Sequence, residues 1–125
     1  GHQTGDQVLR HVAQIIREQV RTIDVVARYG GEEFTVILLQ AGENKAREIG
    51  ERIRTTIEQE NYYSDNAQRI SLTASIGINT LLPEDCLSDF KALAKQFVER
   101  ADQALYAAKN GGRNQTVWYS SLPAK

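Results

Sequence analysis

Three segments of the chain carry apolar residues that recur every three or four positions. They span residues 5–21, 43–60 and 93–108. In an α-helix this spacing gathers the apolar side chains into one stripe, while charged residues cover the other faces. We therefore predict three amphipathic helices, the last of which ends in a left-handed C-cap at Asn110-Gly111-Gly112. The predicted inner face of this last helix comprises Leu93, Phe97, Val98, Ala101, Ala104, Leu105 and Ala108.

Four shorter segments have the composition or the alternation of strands. Residues 25–27 and 34–39 are apolar and β-branched, and the glycines between them predict a hairpin. Residues 70–78 alternate apolar and polar side chains, which predicts a half-buried central strand after a polar turn at 61–68. Residues 116–119 predict a last short strand. This order of elements predicts an α/β (α+β) sandwich, in which helices flank a central antiparallel sheet.

Composition narrows the class of protein. The 125 residues are 41% hydrophobic and 25% charged, as in an ordinary single globular domain. The formal net charge is -1, so the chain lacks the excess of basic residues with which proteins bind bulk nucleic acid. Cys86 is the only cysteine, so no internal disulfide can form, and no apolar run approaches the roughly 20 residues of a membrane-spanning helix. We expect a cytoplasmic domain, or the cytoplasmic part of a membrane-attached protein, without a nucleic-acid partner.

The densest group of candidate functional residues lies at the predicted hairpin turn, in the segment Arg28-Tyr29-Gly30-Gly31-Glu32-Glu33-Phe34. Glycines at a turn let a ligand approach the backbone closely. Adjacent carboxylates could hold Mg²⁺, which prefers carboxylate and phosphate oxygens. Neighbours on a strand point to opposite faces, so Glu32 and Glu33 have different roles unless the turn rotates one of them. Taken alone, Gly-Gly-Glu-Glu is also typical of a polar hairpin turn.

This segment is one of four ordered motifs that span nearly the whole chain. Gly1-His2 with Gly5-Asp6 precedes it, and Ser75-Ile76-Gly77 and residues 101–114 follow it. In this order the motifs resemble the GHxxGD, GGEEF, SIG, and ADxALYxAK with GRN segments of the GGDEF family, the catalytic domain of diguanylate cyclases. The resemblance implies a fold similar to nucleotidyl cyclases and polymerase palms. It also implies condensation of two GTP molecules into cyclic di-GMP and pyrophosphate.

The resemblance further implies a role for each matching residue of the active site. Glu32 matches a metal-ligating carboxylate that also activates the attacking 3′-hydroxyl, and Glu33 matches a second acidic group at two Mg²⁺ or Mn²⁺ ions. Gly31 matches the position where the nucleotide passes. Asp6 matches the carboxylate that hydrogen-bonds guanine, and Leu9 an apolar wall of the base pocket. Without the resemblance, Asp6 is simply a first-turn helix residue favoured by the helix dipole.

Five further charged residues match binding positions of the family. Lys109 and Arg113 match cations that hold the triphosphate, and each is otherwise an ordinary surface charge. Arg21 and Asp24 fit the RxxD product-inhibition site by their spacing before Gly30-Gly31, and Arg52 matches a further arginine that contacts the bound dinucleotide. The alternative for Arg21 and Asp24 is an exposed ion pair worth under about 1 kcal/mol.

The resemblance also implies a first helix and a first strand upstream of Gly1, whose aspartate shares the metals. A chain that begins at Gly1 carries half of that metal site and a sheet that is incomplete at its N-terminus. We expect that this segment precedes the chain in the molecule or that the fragment is inactive. We assign residues 1–120 to the catalytic domain and 121–125 to a tail.

The expected partners are GTP, cyclic di-GMP, a second copy in a catalytic homodimer and an attached sensory domain. Two other functions stay open at this point. In the first, the domain is a degenerate relative that senses cyclic di-GMP through Arg21 and Asp24. In the second, it only dimerises or binds GTP to regulate a neighbour. An intact GGEEF segment together with Lys109 and Arg113 favours the enzyme.

Overall fold

The computed structural model describes residues 2–85 and 89–123. Gly1 of the first motif and Cys86 therefore lie outside the described residues. None of the helices in these two ranges is long and apolar enough to cross a lipid bilayer. In chain order the elements are α1 (His2–Gln19), β1 (Val25–Gly30), β2 (Glu33–Ile37), α2 (Glu43–Gln59), β3 (Tyr62–Tyr63), β4 (Arg69–Ile70), β5 (Ile76–Ile78), α3 (Phe90–Asn110) and β6 (Thr116–Trp118).

The main core forms where α1 and α2 face each other. Their apolar stripes supply β-branched side chains at helical spacing, and each such side chain contributes about 1.5–3 kcal/mol when it is fully buried. Tyr62 completes the cluster, and its hydroxyl donates a hydrogen bond to the carbonyl oxygen of Ile57 at 2.8 Å. The stripes predicted for these two helices are confirmed. The buried cluster consists of Val12, Ile15, Ile16, Ile49, Ile53, Ile57 and Tyr62.

The predicted hairpin is confirmed as the antiparallel pair β1–β2. Val26, Phe34 and Val36 are partly buried against the main core, which fixes the face of the hairpin that turns inward. The turn requires left-handed backbone, with φ of 135° at Gly30 and 51° at Gly31. Glycine adopts these angles without steric cost, so the two glycines are needed here for conformation.

The predicted strand over residues 70–78 is correct only in part. β5 covers Ile76–Ile78 and pairs in parallel with β6, whereas β4 pairs with β3 in a small hairpin where a polar turn was expected. Residues 71–75 have no strand partner in the described part of the chain. Because a strand is defined by its ladder of hydrogen bonds, alternation alone does not make these residues one. Residues 2–85 and 89–123 therefore contain three two-stranded sheets flanked by helices.

Helix α3 packs closely on β5. Ala104 and Ala108 of α3 are fully buried, as the apolar spacing predicts. Val98 was wrongly placed on the inner face and is 46% exposed. Its position is about 100° around the helix from Phe97, whose spacing to Ala104 and Ala108 follows the buried stripe.

The end of α3 confirms the predicted left-handed C-cap. The helix stops at Asn110 as expected, and the capping Gly111 has φ of -83°. Left-handed backbone begins at Gly112 (114°) and continues through Arg113 (63°) and Asn114 (43°). This reversal of the chain satisfies a carbonyl of the last helical turn, because the backbone amide of Arg113 donates a hydrogen bond to the carbonyl oxygen of Ala108 at 3.0 Å.

Candidate active site

The Gly-Gly-Glu-Glu turn lies at the exposed tip of the β1–β2 hairpin. Arg28 braces it, because its Nε donates to the carbonyl oxygen of Gly31 at 2.8 Å. Glu32 lies in the turn and Glu33 is the first residue of β2. Gly31 has open space around its α-carbon, so a ligand could approach the backbone there.

The structure brings this turn to the C-terminal end of α3. Lys109 Nζ lies 3.4 Å from Glu33 Oε1, although the two residues are 76 positions apart in the chain. Both side chains are more than a third exposed, so the ion pair adds under about 1 kcal/mol to stability. The contact matters because it places Lys109, a predicted triphosphate ligand, beside Glu33, a predicted metal ligand. The carboxylate of Glu32 makes no hydrogen bond or ion pair with any described residue.

A pocket of about 310 Å³ opens between α1 and the hairpin. It brings together Asp6 and Leu9, the two residues predicted for base binding. Asp6 is exposed at the pocket rather than buried within it. The lining residues are Asp6, Leu9, Arg10, Ala13, Val26, Arg28 and Phe34.

Two arginines of this pocket were missed by the sequence analysis. Arg10 lies four residues after Asp6, and residues at this spacing share a helix face. That spacing is a signal that could have found it. Arg28 stands in the turn motif itself, and its contact with Gly31 could not be read from the sequence. The pocket thus combines apolar walls with one carboxylate and two guanidinium groups, which suits a planar, polar-edged ligand that carries negative charge.

Arg113 lies in the loop that follows α3, and its side chain is exposed. Its guanidinium makes no hydrogen bond or ion pair with other residues in the described ranges. The cation is therefore available to an anionic ligand. No contact in the described structure joins Arg113 to the pocket. Its link to the site is that it follows Lys109 by four residues in the chain.

The metal-binding capacity of the turn is limited to two adjacent carboxylates. Within residues 2–85 and 89–123, no group of three or more His, Cys, Asp or Glu side chains could hold a metal ion. Magnesium is commonly held by one or two carboxylates together with substrate phosphates. Glu32 and Glu33 are carboxylates of the kind that this arrangement uses, and Glu33 would have to give up its contact with Lys109 to bind a metal.

The predicted RxxD site is a tightly bonded corner between α1 and β1. The alternative of an Arg21–Asp24 ion pair is present, with the arginine side chain 49% exposed, but Asp24 itself is only 3% exposed. Its carboxylate accepts from the Arg21 guanidinium at 3.1 and 3.2 Å, the Arg21 amide at 2.8 Å and the Leu39 amide at 3.0 Å. The hydrogen bond from the Arg21 side chain is the main cause that lowers the pKa of Asp24 to about 2. Both carboxylate oxygens are therefore engaged within the fold.

Two more arginines hold the same corner. Arg52 donates to Gln19 Oε1 at 2.7 Å and to the Gln19 carbonyl at 2.8 Å, so this predicted ligand instead ties α2 to the end of α1. Arg17, which the sequence analysis missed, donates to the carbonyl of Asp24 at 2.9 Å and also binds that of Arg21. No contact in the described structure joins Arg52 to Arg21 or Asp24.

Comparison with known proteins shows which family the chain matches. The family model for the diguanylate cyclase GGDEF domain matches residues 1–115. Diguanylate cyclase DosC of Escherichia coli is 40% identical over 123 residues, which are 98% of this chain and 25% of that protein. The chain therefore spans about a quarter of the length of this curated relative.

Solved structures agree in fold. The GGDEF domain of DgcB from Caulobacter crescentus, crystallised with c-di-GMP, superposes with a TM-score of 0.85 at 34% identity, covering 97% of this chain and 68% of that one. The active GGEEF domain of a Vibrio cholerae diguanylate cyclase gives a TM-score of 0.77 at 28% identity, covering 95% and 70%. The predicted fold class is thereby confirmed.

Proposed function

The chain belongs to the GGDEF family of diguanylate cyclase domains, and from this premise we propose that it condenses two GTP molecules into cyclic di-GMP and pyrophosphate. The observation that carries the proposal is the Glu33–Lys109 contact, which joins the GGEEF turn to the end of α3. The relative DosC is named a diguanylate cyclase, and the Vibrio cholerae structure is described as an active GGEEF domain.

Guanine recognition is assigned to the pocket between α1 and the hairpin. Asp6 accepts hydrogen bonds from the N–H groups of guanine, and Leu9 with Phe34 covers the faces of the base. Adenine lacks the matching pair of donors, so the carboxylate would lose its partners with ATP. Gly31 leaves room for the nucleotide at the turn.

Phosphate binding is assigned to Lys109 and Arg113. An ammonium group acts as a point charge on phosphate oxygens, and a guanidinium group adds two parallel hydrogen bonds. Glu32 and Glu33 would hold the Mg²⁺ or Mn²⁺ ions, two per site in the complete domain. When bound, the ions supply positive charge that stabilises the negative charge developing on the phosphate oxygens.

The reaction is transfer of a nucleotidyl group. The 3′-oxygen of one GTP attacks the α-phosphorus of the other, and the bond from the α-phosphorus to the oxygen of the leaving pyrophosphate breaks. Glu32 accepts the proton of the attacking hydroxyl. A second, reciprocal attack releases a second pyrophosphate and closes the ring. Catalysis then depends on positioning and charge stabilisation, and each copy of a homodimer contributes one GTP.

Feedback inhibition is assigned to Arg21, Asp24 and Arg52. The RxxD spacing supports it, as does the DgcB structure, which holds c-di-GMP. In the structure Asp24 is bonded to Arg21 and Leu39, so product binding requires the carboxylate to exchange these partners for guanine N–H groups. An attached sensory domain, together with a cytoplasmic location, completes the proposal for the whole protein.

The second candidate is a regulatory module that binds GTP or cyclic di-GMP without turnover. It is favoured by the Arg21–Asp24 pair, which has the RxxD spacing of a cyclic di-GMP site. A single assay distinguishes the two functions. Purified protein that contains this chain is incubated with GTP and Mg²⁺, and nucleotides are separated by chromatography.

Cyclic di-GMP that disappears in Glu32→Ala supports the cyclase. Glu84→Ala, which removes an exposed carboxylate from the 3₁₀ turn Pro83–Asp85, is the matched control and should retain activity. No product from the unsubstituted protein, combined with cyclic di-GMP binding that Arg21→Ala abolishes, would instead identify the regulatory module.

A further inference from the structure

Arg113 combines an unengaged side chain with a backbone that is held from several directions. Left-handed φ angles at two successive non-glycine residues, 63° at Arg113 and 43° at Asn114, are sterically disfavoured. Such angles persist where surrounding contacts over-determine them. Groups on the neighbouring elements hold this loop.

The strongest restraint comes from α2. Arg54 Nη1 donates to Asn114 Oδ1 at 2.8 Å, and the side-chain nitrogen Nδ2 of Asn114 donates in turn to the carboxylate of Glu58. Arg54 is itself immobilised, because its Nε lies 3.0 Å from both carboxylate oxygens of Glu51. Its side chain is only 16% exposed. Both polar ends of the Asn114 side chain are thus engaged by one helix, 60 and 56 residues away in the chain.

Two other contacts fix the flanks of the loop without using the Arg113 side chain. The Gln115 side-chain amide donates to the carbonyl of Ala108 at 3.1 Å, and the Gln115 carbonyl accepts from the amide of Ile76 at 2.9 Å. The loop is thereby joined to α3, to β5 and, through Asn114, to α2. The guanidinium of Arg113 is left to solvent.

We propose that Arg54 is a positioning residue for the triphosphate site. Together with Glu58 it binds the side chain of Asn114 and thereby stabilises the left-handed turn. This turn directs the Arg113 side chain toward the phosphates. This inference rests on the proposed function, because it takes the ligand of Arg113 to be GTP. Arg54 touches no ligand in this scheme. Its effect passes through the backbone of Asn114 to Arg113.

A double-mutant cycle tests the proposal. Affinity for a non-hydrolysable GTP analogue and for GMP is measured by titration calorimetry on the unsubstituted protein, Arg113→Ala, Arg54→Met and the double variant. Arg113→Ala should weaken the GTP analogue about tenfold or more, as expected for lost hydrogen bonds between charged groups. Arg54→Met should weaken it about three- to tenfold, and the double variant should be no weaker than Arg113→Ala. GMP affinity should not change in Arg54→Met.

The matched control is Arg47→Met, which removes an arginine from the same helix two turns earlier. Arg47 pairs with Glu43 and lies over the ring of Trp118, away from the loop contacts. It should leave affinity for the analogue unchanged. If Arg54→Met fails to fold, Asn114→Gly replaces it. Glycine accepts the left-handed backbone but removes both side-chain bonds, so the same pattern is expected.

Backbone dynamics give a readout that needs no nucleotide. The ¹⁵N heteronuclear NOE of Arg113 and Asn114 should fall in Arg54→Met and stay unchanged in Arg47→Met. Unchanged NOE values overturn the inference whatever the calorimetry shows, and so do additive losses in the cycle. Failure of the unsubstituted protein to bind the GTP analogue overturns the proposed function, and with it the triphosphate role of the loop.

Discussion

Replacing Gly77 by alanine should disrupt the contact between β5 and α3. Gly77 is the middle residue of β5, and a Cβ atom placed on it would lie 2.7 Å from the Cα of Leu105. The amide nitrogen of Leu105 and the carbonyl oxygen of Ala101 would be closer still. All three atoms belong to the backbone of α3, so no change of rotamer relieves the clash.

The structure sets the size of the effect. Carbon atoms in favourable contact are about 3.5–4.0 Å apart, so the strand and the helix must separate by about 1 Å or more. Neither can move freely, because β5 is paired with β6 and Ala104 and Ala108 of α3 are fully buried. Overpacking costs about 1–3 kcal/mol, and more when the backbone must shift. We expect a loss of about 3 kcal/mol or more in the free energy of unfolding, a large share of the 5–15 kcal/mol typical of a domain.

Urea denaturation followed by far-ultraviolet circular dichroism measures this loss. Gly50→Ala is the control, because its Cβ would lie 2.9 Å from the Cδ1 of Ile78, the far end of a flexible side chain. Alanine also favours the interior of α2 by about 0.5–1 kcal/mol, so this variant should change stability by less than about 1 kcal/mol. Equal unfolding free energies for Gly77→Ala and Gly50→Ala would refute the close contact.

Three further predictions concern single carboxylates. The pKa of Asp24 falls from 3.8 to about 2 on folding, so its ionised form stabilises the fold above pH 3.8, and this contribution is lost as the pH drops toward 2. Asp24→Asn should therefore flatten the pH dependence of the urea midpoint in this window; an unchanged slope contradicts the pairing. Asp89 caps α3 by accepting from two backbone amides, so Asp89→Ala should cost about 1 kcal/mol of unfolding free energy, whereas Asp89→Ser retains an acceptor and should cost less. Asp6→Ala should lose the preference for GTP over ATP in binding competition, and retained selectivity would remove Asp6 from the base pocket.

Much of the site was predictable because its signals are local. Asp6 and Leu9 stand on one helix face at a spacing that helical geometry fixes, so a common pocket wall follows from the sequence. The hairpin and its glycine turn follow from apolar runs that are separated by residues able to adopt left-handed backbone. The roles of Glu32 and Glu33 as metal ligands stay predictions, because they came from the family resemblance and not from a measured site.

The remaining features depend on residues that are distant in the chain. The Glu33–Lys109 pair and the Arg54–Asn114 bond join segments whose proximity no local pattern encodes. Burial of Asp24 is of the same kind, because one of its partners is the amide of Leu39, 15 residues further along the chain.

The sequence by itself determined the helices, the hairpin and the family, since these depend on side-chain periodicity and on short ordered motifs. The tertiary structure decided which alternating residues became strand, which charges were engaged and which stayed available to a ligand. The physical reason is that periodicity follows from the backbone geometry of a single element. A strand, a buried carboxylate or a free guanidinium is instead defined by partners on other elements.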